Sequence, residues 1–391
     1  KIAQPLIKSA NISQNNVKIY LVNDNNFNAF VNNKENIFIN IGIFTYSLDA
    51  LIGVLAHEIG HISSGHIARF SEYSNKISTN QLIAYFGSII AAAITKNPEI
   101  LLSGITFSNQ IAHREFLKYN ISQEEVADYL AIKYLNENQY SAFGMVNLFE
   151  KMKNDSTEYE NFIKSYFSTH PTDQNRINFL RRNSQYKRNF FDKKIIEKFE
   201  RIKLKIKAFT GDYNEILKKY KNNLYISSIS YFKAGNIKKS LNLLDKLIKK
   251  EKNNPYLLEL KAQILFESNQ INQSIKYYKL AVKNNDNPLI KIDFSKAILA
   301  SKKNIPQAIK NLENANLYEK NNPELLKLLS KSYIKNSNKK EGYYYLCKYY
   351  SLKKNKNLFK KCLKKLKSEY DNDIPVKIKD LQNFYENDKN S

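Results

Sequence analysis

Apolar residues follow two different periods in the first third of the chain. Residues 17–24 and 36–42 are rich in β-branched and aromatic side chains between asparagine-rich turns, which predicts two strands of a small sheet. Residues 48–70 and 122–136 instead repeat their apolar positions every 3.6 residues or so, which predicts two helices. Ser47 precedes the first of these helices and is its predicted N-cap.

A third apolar region, residues 81–107, lies between the two predicted helices and is itself predicted to be helical. Its longest continuous apolar run is shorter than the roughly 18 to 20 residues that a membrane-spanning helix needs. A helix pair that caps the core is the simpler interpretation of this region. A hairpin that contacts a membrane surface or a substrate is the alternative.

The second half of the chain repeats a short pattern. Asn-Pro occurs at Asn254-Pro255, Asn287-Pro288 and Asn322-Pro323, at intervals of 33 and 35 residues, close to the 34-residue tetratricopeptide period. Asparagine as N-cap followed by proline is a helix start. Small residues fall where paired helices approach each other closely, namely at Ala262, Ser274, Ala281, Ser330 and Gly342. The pattern predicts four helix pairs between residue 221 and about residue 355.

The two halves differ sharply in charge. Residues 1–180 contain 14 Lys or Arg and 16 Asp or Glu, whereas residues 181–391 contain 48 and 21, so the positive charge of the chain lies in its second half. A solvated lysine-rich surface is the first interpretation, and an acidic protein partner or an anionic membrane surface is the alternative. No nucleic-acid-binding motif accompanies the charge, so we expect no nucleic acid partner. Cys347 and Cys362 are either bridged or two buried thiols.

The segment His57-Glu58-Ile59-Gly60-His61 has the form H-E-x-x-H. On a helix the two histidines lie about 40° apart, so both imidazoles can reach one Zn²⁺ ion, and Glu58 beside them can take a proton from water at the metal. With five histidines in 391 residues, chance yields this motif in under about one chain in a hundred. The motif therefore predicts one catalytic zinc per chain.

A catalytic zinc needs a third protein ligand and leaves one position open. Glu124 and Asp128 are four residues apart on the second predicted helix and share a face. Glu124 can therefore bind the metal while Asp128 accepts a hydrogen bond from a ligand histidine. Glu125 is rotated away from that face, and we expect it to be a solvated acid.

For the remaining three histidines, the sequence gives weaker evidence of a role at the metal. His66 is about 180° around the helix from His57 and is expected to be structural, and His113 is expected to be a surface or core histidine. His170 precedes Pro171 and should lie in a loop, either as a fourth zinc ligand that closes the resting site or as a donor to the oxyanion. Arg176 could support either role, although an exposed helix arginine is the default expectation.

These motifs carry a family resemblance. The order NAFV at 28–31, GVLAHEIGHISSGHIAR, EEVAD and STHPTDQNRI resembles the gluzincin metallopeptidases related to the CAAX prenyl endopeptidases, and is most similar to bacterial periplasmic members with a tetratricopeptide tail. The resemblance implies zinc bound by His57, His61 and Glu124, with Glu58 as the general base. It also implies a supporting role for Asp128 and a catalytic role for His170 as a mobile histidine near the metal.

One position departs from the family. Many relatives carry Ser-Arg just before the helix of the third ligand, where this chain has Asn120-Ile121. The supporting role of that arginine is therefore either absent or supplied elsewhere. This puts substrate positioning in doubt, and leaves metal binding untouched.

Together these observations predict an α+β zincin-like peptidase domain, mostly helical with a small sheet, followed by an all-α tetratricopeptide-type solenoid. We expect a metallopeptidase domain at 1–182, a helical connector at 183–220 and a repeat domain at 221–391.

The predicted function is a zinc-dependent endopeptidase whose strand 36–42 pairs with an extended protein substrate and whose repeats bind protein partners. The resemblance implies the periplasm or cell envelope and a part in outer-membrane protein quality control. A chaperone or scaffold with a latent peptidase site is the alternative.

Overall fold

The computed structural model describes most of the chain. The described residues are 2–13, 16–32, 36–65, 110–154, 166, 170, 173–370 and 375–387, with the backbone alone for 110–120, 152–154 and 384–387. They form two compact units, residues 1–206 and 207–391. The predicted apolar region 81–107 and His66 lie outside the described residues, as does the side chain of His113, whose backbone is helical.

A three-stranded sheet forms one side of the first unit. Its strands are β1 (Ile19–Val22), β2 (Ala29–Val31) and β3 (Ile37–Asn40), in the order β1-β3-β2. β1 is parallel to β3 and β2 is antiparallel to it. The prediction that strand 36–42 offers a free edge is therefore wrong, because β3 is paired on both sides. The strand pattern did not reveal β2, which is only three residues long.

The inner face of this sheet belongs to the core of the unit. Ala29, Ile37 and Ile39 are buried among the residues of the core. On the other face the rings of Tyr20, Phe38 and Phe30 stack across the three strands, with centroids 5.2 and 5.1 Å apart. Beyond Asn40 the chain leaves the sheet in a short 3-10 helix, Ile41–Thr45.

The helices of the first unit surround one buried helix. They are α1 (Ala3–Ser9), α2 (Leu48–Ser63), α3 (Gln110–Glu137), α4 (Phe143–Asn154), α5 (Gln174–Asn183) and α6 (Lys193–Thr210), which runs into the second unit. Ser47 caps α2 as predicted, since its Oγ accepts from the Ala50 N–H at 3.1 Å. α2 ends at Ser63, earlier than its apolar pattern, and α3 is longer than the predicted segment 122–136.

A glycine allows α2 and α3 to pack closely. A Cβ built on Gly60 would lie 2.7 Å from the Ala127 carbonyl oxygen, and real Cβ atoms essentially never come so near an oxygen. The backbones of the two helices therefore touch at this point. This contact sets the distance between the predicted ligands on the two helices.

The second unit is built from antiparallel helix pairs. After α7 (Tyr213–Lys219) come the pairs α8 (Leu224–Lys233) and α9 (Ile237–Lys250), α10 (Pro255–Glu267) and α11 (Ile271–Asn284), α12 (Pro288–Ser301) and α13 (Ile305–Asn316), and α14 (Pro323–Lys335) and α15 (Lys339–Leu352), followed by α16 (Lys356–Lys367) and α17 (Val376–Asn387).

The structure contains the helix caps and the buried small residues that the repeat pattern predicted. Asn254, Asn287 and Asn322 each cap a helix that begins with proline, through a side-chain oxygen that accepts a backbone N–H. Ala262 and Ser274 are fully buried between paired helices. The predicted fold class is confirmed: a mostly helical domain with a small sheet is followed by an all-α helical repeat.

A disulfide joins the second helix of the fourth pair to the helix that follows it. Cys347 on α15 and Cys362 on α16 form a disulfide, with their Cα atoms 5.5 Å apart. Both cysteines are buried. Of the two interpretations of these cysteines, the bridge is the one that the structure shows. Among the helices that the structure describes, none is long and apolar enough to cross a bilayer.

Candidate metal centre

Three predicted ligands converge at the contact between α2 and α3. His57 and His61 present their Nε2 atoms 3.0 Å apart. The Glu124 carboxylate faces both, with Oε2 3.2 Å from His57 Nε2 and Oε1 3.2 Å from His61 Nε2. His57 is fully buried and Glu124 is buried, so these donor atoms are largely shielded from solvent.

His170 supplies a fourth donor atom from a different part of the chain. Its Nδ1 lies 3.3 Å from His57 Nε2 and 3.1 Å from Glu124 Oε1. The backbone N–H of His170 donates to the Tyr166 carbonyl at 2.7 Å, and the two rings stack with centroids 4.7 Å apart. The ring of His170 is thereby held against the other ligands.

The spacing of these atoms tests whether a metal ion would fit. All four donor atoms lie within 4.8 Å of one another. Zinc bonds nitrogen and oxygen at about 2.0–2.1 Å, so donors at the corners of a tetrahedron are about 3.4 Å apart. The measured separations of 3.0 to 3.3 Å are close to that value. The donor set and its spacing therefore fit one divalent ion of this kind.

The electrostatics also favour a cation. Burial alone lowers the pKa of His57, but the carboxylates of Glu124 and Asp128 outweigh it and raise this pKa to about 10. Burial lowers the pKa of His61 to about 3, so that imidazole is neutral, the form that binds a metal. Burial opposes ionisation of Glu124, yet His170 and His57 hold its pKa well below the usual range.

Asp128 contacts His57 at the ring nitrogen that faces away from the other ligands. Its Oδ1 lies 2.9 Å from His57 Nδ1, so it can accept that N–H and leave Nε2 for the metal. Burial would raise the pKa of Asp128, but the Arg176 guanidinium and the hydrogen bond from His57 outweigh it and lower this pKa. From the sequence, we expect Asp128 to accept a hydrogen bond from one of the two ligand histidines, and the structure brings it to His57.

The default expectation for Arg176, an exposed helix arginine, is wrong. Its side chain is 5% exposed and donates through Nε to Asp128 Oδ2 at 2.7 Å and through Nη2 to Asp128 Oδ1 at 3.0 Å. Nη1 lies 3.0 Å from Glu124 Oε2. A sequence signal did exist: Arg176 lies four residues before the buried Leu180, and therefore on the same face of α5.

Glu58 lies beside the cluster without being part of it. Its side chain is buried, and neither carboxylate oxygen accepts a hydrogen bond from the described part of the chain. His170 Nε2 is 3.5 Å from Glu58 Oε1. Complete burial raises the pKa of Glu58, which suits a group that takes up and returns a proton. Glu125, by contrast, is exposed, as its rotation on α3 indicated.

Solved structures resemble this chain only loosely. Two chains described as MamA superpose on 41% and 43% of this chain, with TM-scores of 0.34 and 0.33 and sequence identities of 16% and 13%. The alignments cover 97% and 99% of those chains.

Comparison of sequences gives a clearer result for residues 1–184 than comparison of structures. Residues 1–184 match peptidase family M48.

The beta-barrel assembly-enhancing proteases of Yersinia pestis and Escherichia coli K12 are each 23% identical to this chain, over 75% and 79% of its length. This chain spans 63% and 65% of theirs, just under two thirds. A putative protein of that name from Vibrio cholerae is 28% identical over 44% of this chain and 35% of its own. The family resemblance is thus confirmed, because residues 1–184 match the model of peptidase family M48 and the similar proteins are proteases by name.

Proposed function

We propose that this protein is a zinc-dependent endopeptidase that hydrolyses polypeptides. The observation that carries the proposal is the convergence of His57, His61 and Glu124 on one point, with the buried carboxylate of Glu58 beside it. Zinc bound at that point would polarise the scissile carbonyl and lower the pKa of a water molecule to about 7.

The side chains of the protein then perform the proton transfers. Glu58 takes the proton of the attacking water and returns it to the departing amine. Its raised pKa suits it to this role, as does the absence of a hydrogen bond to it from the residues that the structure describes. Asp128 holds His57 in the tautomer that leaves Nε2 for the metal. Arg176 contacts both Asp128 and Glu124 and keeps the two carboxylates ionised.

An extended substrate would pair with the edge of the sheet. β3 has no free edge, but β2 lies at one side of the sheet and packs against α2, the helix that carries His57 and His61. Backbone pairing along β2 gives affinity with little dependence on side chains. This mode of binding suits an enzyme that acts on unfolded or misassembled proteins.

The position of His170 favours a closed resting state. Its Nδ1 occupies the fourth corner of the donor set, which an open catalytic site keeps for water. Cleavage then requires His170 to withdraw. This same observation supports the second candidate function, a chaperone or scaffold in which the site stays closed and the repeats hold client proteins.

The repeat unit would recruit protein partners, as helical repeats commonly do. The assignment of residues 1–182 to catalysis, 183–220 to a connector and 221–391 to partner binding is part of this proposal. The names of the relatives refer to the assembly of β-barrels, and we place this protein in the cell envelope in a similar quality-control role. The Cys347–Cys362 disulfide supports such an oxidising compartment.

Casein digestion tests the proposal, with the metal content measured before and after chelation. We expect activity that chelation abolishes and zinc restores. Glu58→Gln should keep one zinc per chain and lose at least about a hundredfold of the activity. Glu125→Gln, an exposed neighbour of the ligand Glu124, is the control and should stay active. A fully active Glu58→Gln protein would exclude the mechanism, and a zinc-loaded protein that never cleaves would favour the scaffold.

A further inference from the structure

The helical repeat contains a groove that the proposed peptidase function does not use. It has a volume of about 480 Å³ and lies between α11 and α13, with residues of α12 as its floor. Phe294 and Ile298 on the floor are buried, and Ile275 and Val282 on the wall are half-buried. The groove can therefore hold an apolar side chain against its floor.

The rim of this groove is basic. Lys279, Lys283 and Lys303 line it and are exposed. The other polar lining residues are amides and a serine, and none of the described lining residues is acidic. The apolar floor and cationic rim therefore complement a ligand that carries carboxylates beside apolar groups.

An unsatisfied donor adds a second, independent observation. Asn311 lines the groove and is 6% exposed. Its Oδ1 accepts from Gln307 Nε2 at 2.9 Å, but its Nδ2 has no hydrogen-bond partner among the described residues. A buried amide N–H without a partner costs about 1–3 kcal/mol, so Asn311 marks a locally unfavourable point in the wall of the groove.

The preceding repeat has an equivalent groove that is also lined by three lysines, Lys238, Lys249 and Lys252, but that contains one acidic residue as well. The equivalent groove, between α9 and α11, has Asp245 at the position that corresponds to Lys279, 34 residues later. Asp245 is paired there with the buried Lys261, which also donates to the Tyr277 hydroxyl at 2.8 Å. The groove between α11 and α13 thus differs from its neighbour in having no acidic residue among its described lining residues.

We propose that the groove between α11 and α13 binds an acidic, amphipathic polypeptide segment. An apolar side chain of the segment rests on Phe294 and Ile298, and its carboxylates contact Lys279, Lys283 and Lys303. This site is separate from the metal centre, and binding at it requires no catalysis.

A direct binding measurement tests the site. A fluorescein-labelled peptide that alternates Glu with Leu and Phe is titrated with the full-length protein, and fluorescence anisotropy gives the dissociation constant. The titration is done on the Glu58→Gln protein, so that neither cleavage nor its absence affects the result. Two control peptides replace Glu by Lys, or Leu and Phe by Gly, and both should bind at least about tenfold more weakly.

Two double variants with the same change in charge separate groove binding from general attraction to a basic surface. Lys279→Glu with Lys303→Glu alters the rim, whereas Lys276→Glu with Lys310→Glu alters exposed lysines of α11 and α13 that do not line the groove. We expect the rim pair to weaken binding by at least about tenfold and the control pair by less than about threefold. All four positions are exposed, so circular dichroism should show intact helices in both variants.

Three outcomes would overturn the proposal. The first is an equal loss in the two double variants, which would mean that only the net charge matters. The second is equal affinity for the peptide without apolar residues. The third is rim-dependent binding of phosphatidylglycerol vesicles or of single-stranded DNA with no binding of the acidic peptide, which would assign the groove to a lipid surface or to nucleic acid.

Discussion

The buried guanidinium of Arg176 donates two hydrogen bonds, of 2.7 and 3.0 Å, to the carboxylate of Asp128. Its third nitrogen lies 3.0 Å from Glu124. The family resemblance led us to expect an arginine at position 121, where this chain has isoleucine. Arg176 places a guanidinium on the carboxylates of the site from a different helix, so such support does not depend on position 121.

Arg176→Met should destabilise the first unit and weaken metal binding together. It leaves Asp128 buried without its cationic partner, which typically costs about 3–5 kcal/mol. Urea unfolding and zinc competition with a chelator measure the two effects. Arg181→Met is the matched control, because Arg181 pairs with Glu150 in a largely exposed contact and should cost at most about 1 kcal/mol. Equal losses in the two variants would show that Arg176 has no special role.

His170→Ala should keep one zinc per chain and raise the rate of casein cleavage. The reason is that three ligands remain, His57, His61 and Glu124, while the fourth position opens to water. Zinc analysis and initial rates measure this, with His57→Ala as the reference for a variant that loses the metal. A lower rate with zinc retained would instead make His170 a donor to the oxyanion, and loss of zinc would make it an ordinary structural ligand.

Gly60→Ala and Gly60→Val should weaken zinc binding in that order, although Gly60 is not a ligand. Any Cβ at this position meets the Ala127 carbonyl oxygen and pushes α3, with Glu124, away from His57 and His61. A shift of a few tenths of an ångström at the ligands should cost about tenfold or more in affinity. If Gly60→Val bound zinc as tightly as the unchanged protein, the ligand spacing would not depend on this contact.

Replacing both Cys347 and Cys362 by serine should lower the free energy of unfolding of the repeat unit while leaving the metal site intact. For cysteines 15 residues apart, the lost constraint on the unfolded chain corresponds to about 3 kcal/mol. Thermal unfolding of the oxidised protein, the reduced protein and the variant measures it. Reduction should act on the unchanged protein alone; an effect of the same size on the variant would mean that the reductant acts elsewhere.

Much of the local structure could be predicted because it depends on neighbouring residues along the chain. The Ser47 cap, the Asn-Pro helix starts and the 34-residue repeat are short-range patterns, and the structure shows each of them. Likewise, H-E-x-x-H on a helix requires only helical geometry to bring His57 and His61 together.

Only the tertiary structure decided the features that join distant parts of the chain. The central position of β3 depends on its pairing with β1 and β2, which no single strand encodes, and the burial of Arg176 depends on α5 packing near α3. His170 reaches Glu124 across 46 residues of sequence. The sequence by itself thus determined the helices, the repeat and the types of side chain that could bind the metal, since these follow from local periodicity. Packing alone decided which side chains meet, because contacts between distant segments depend on how the whole core is filled.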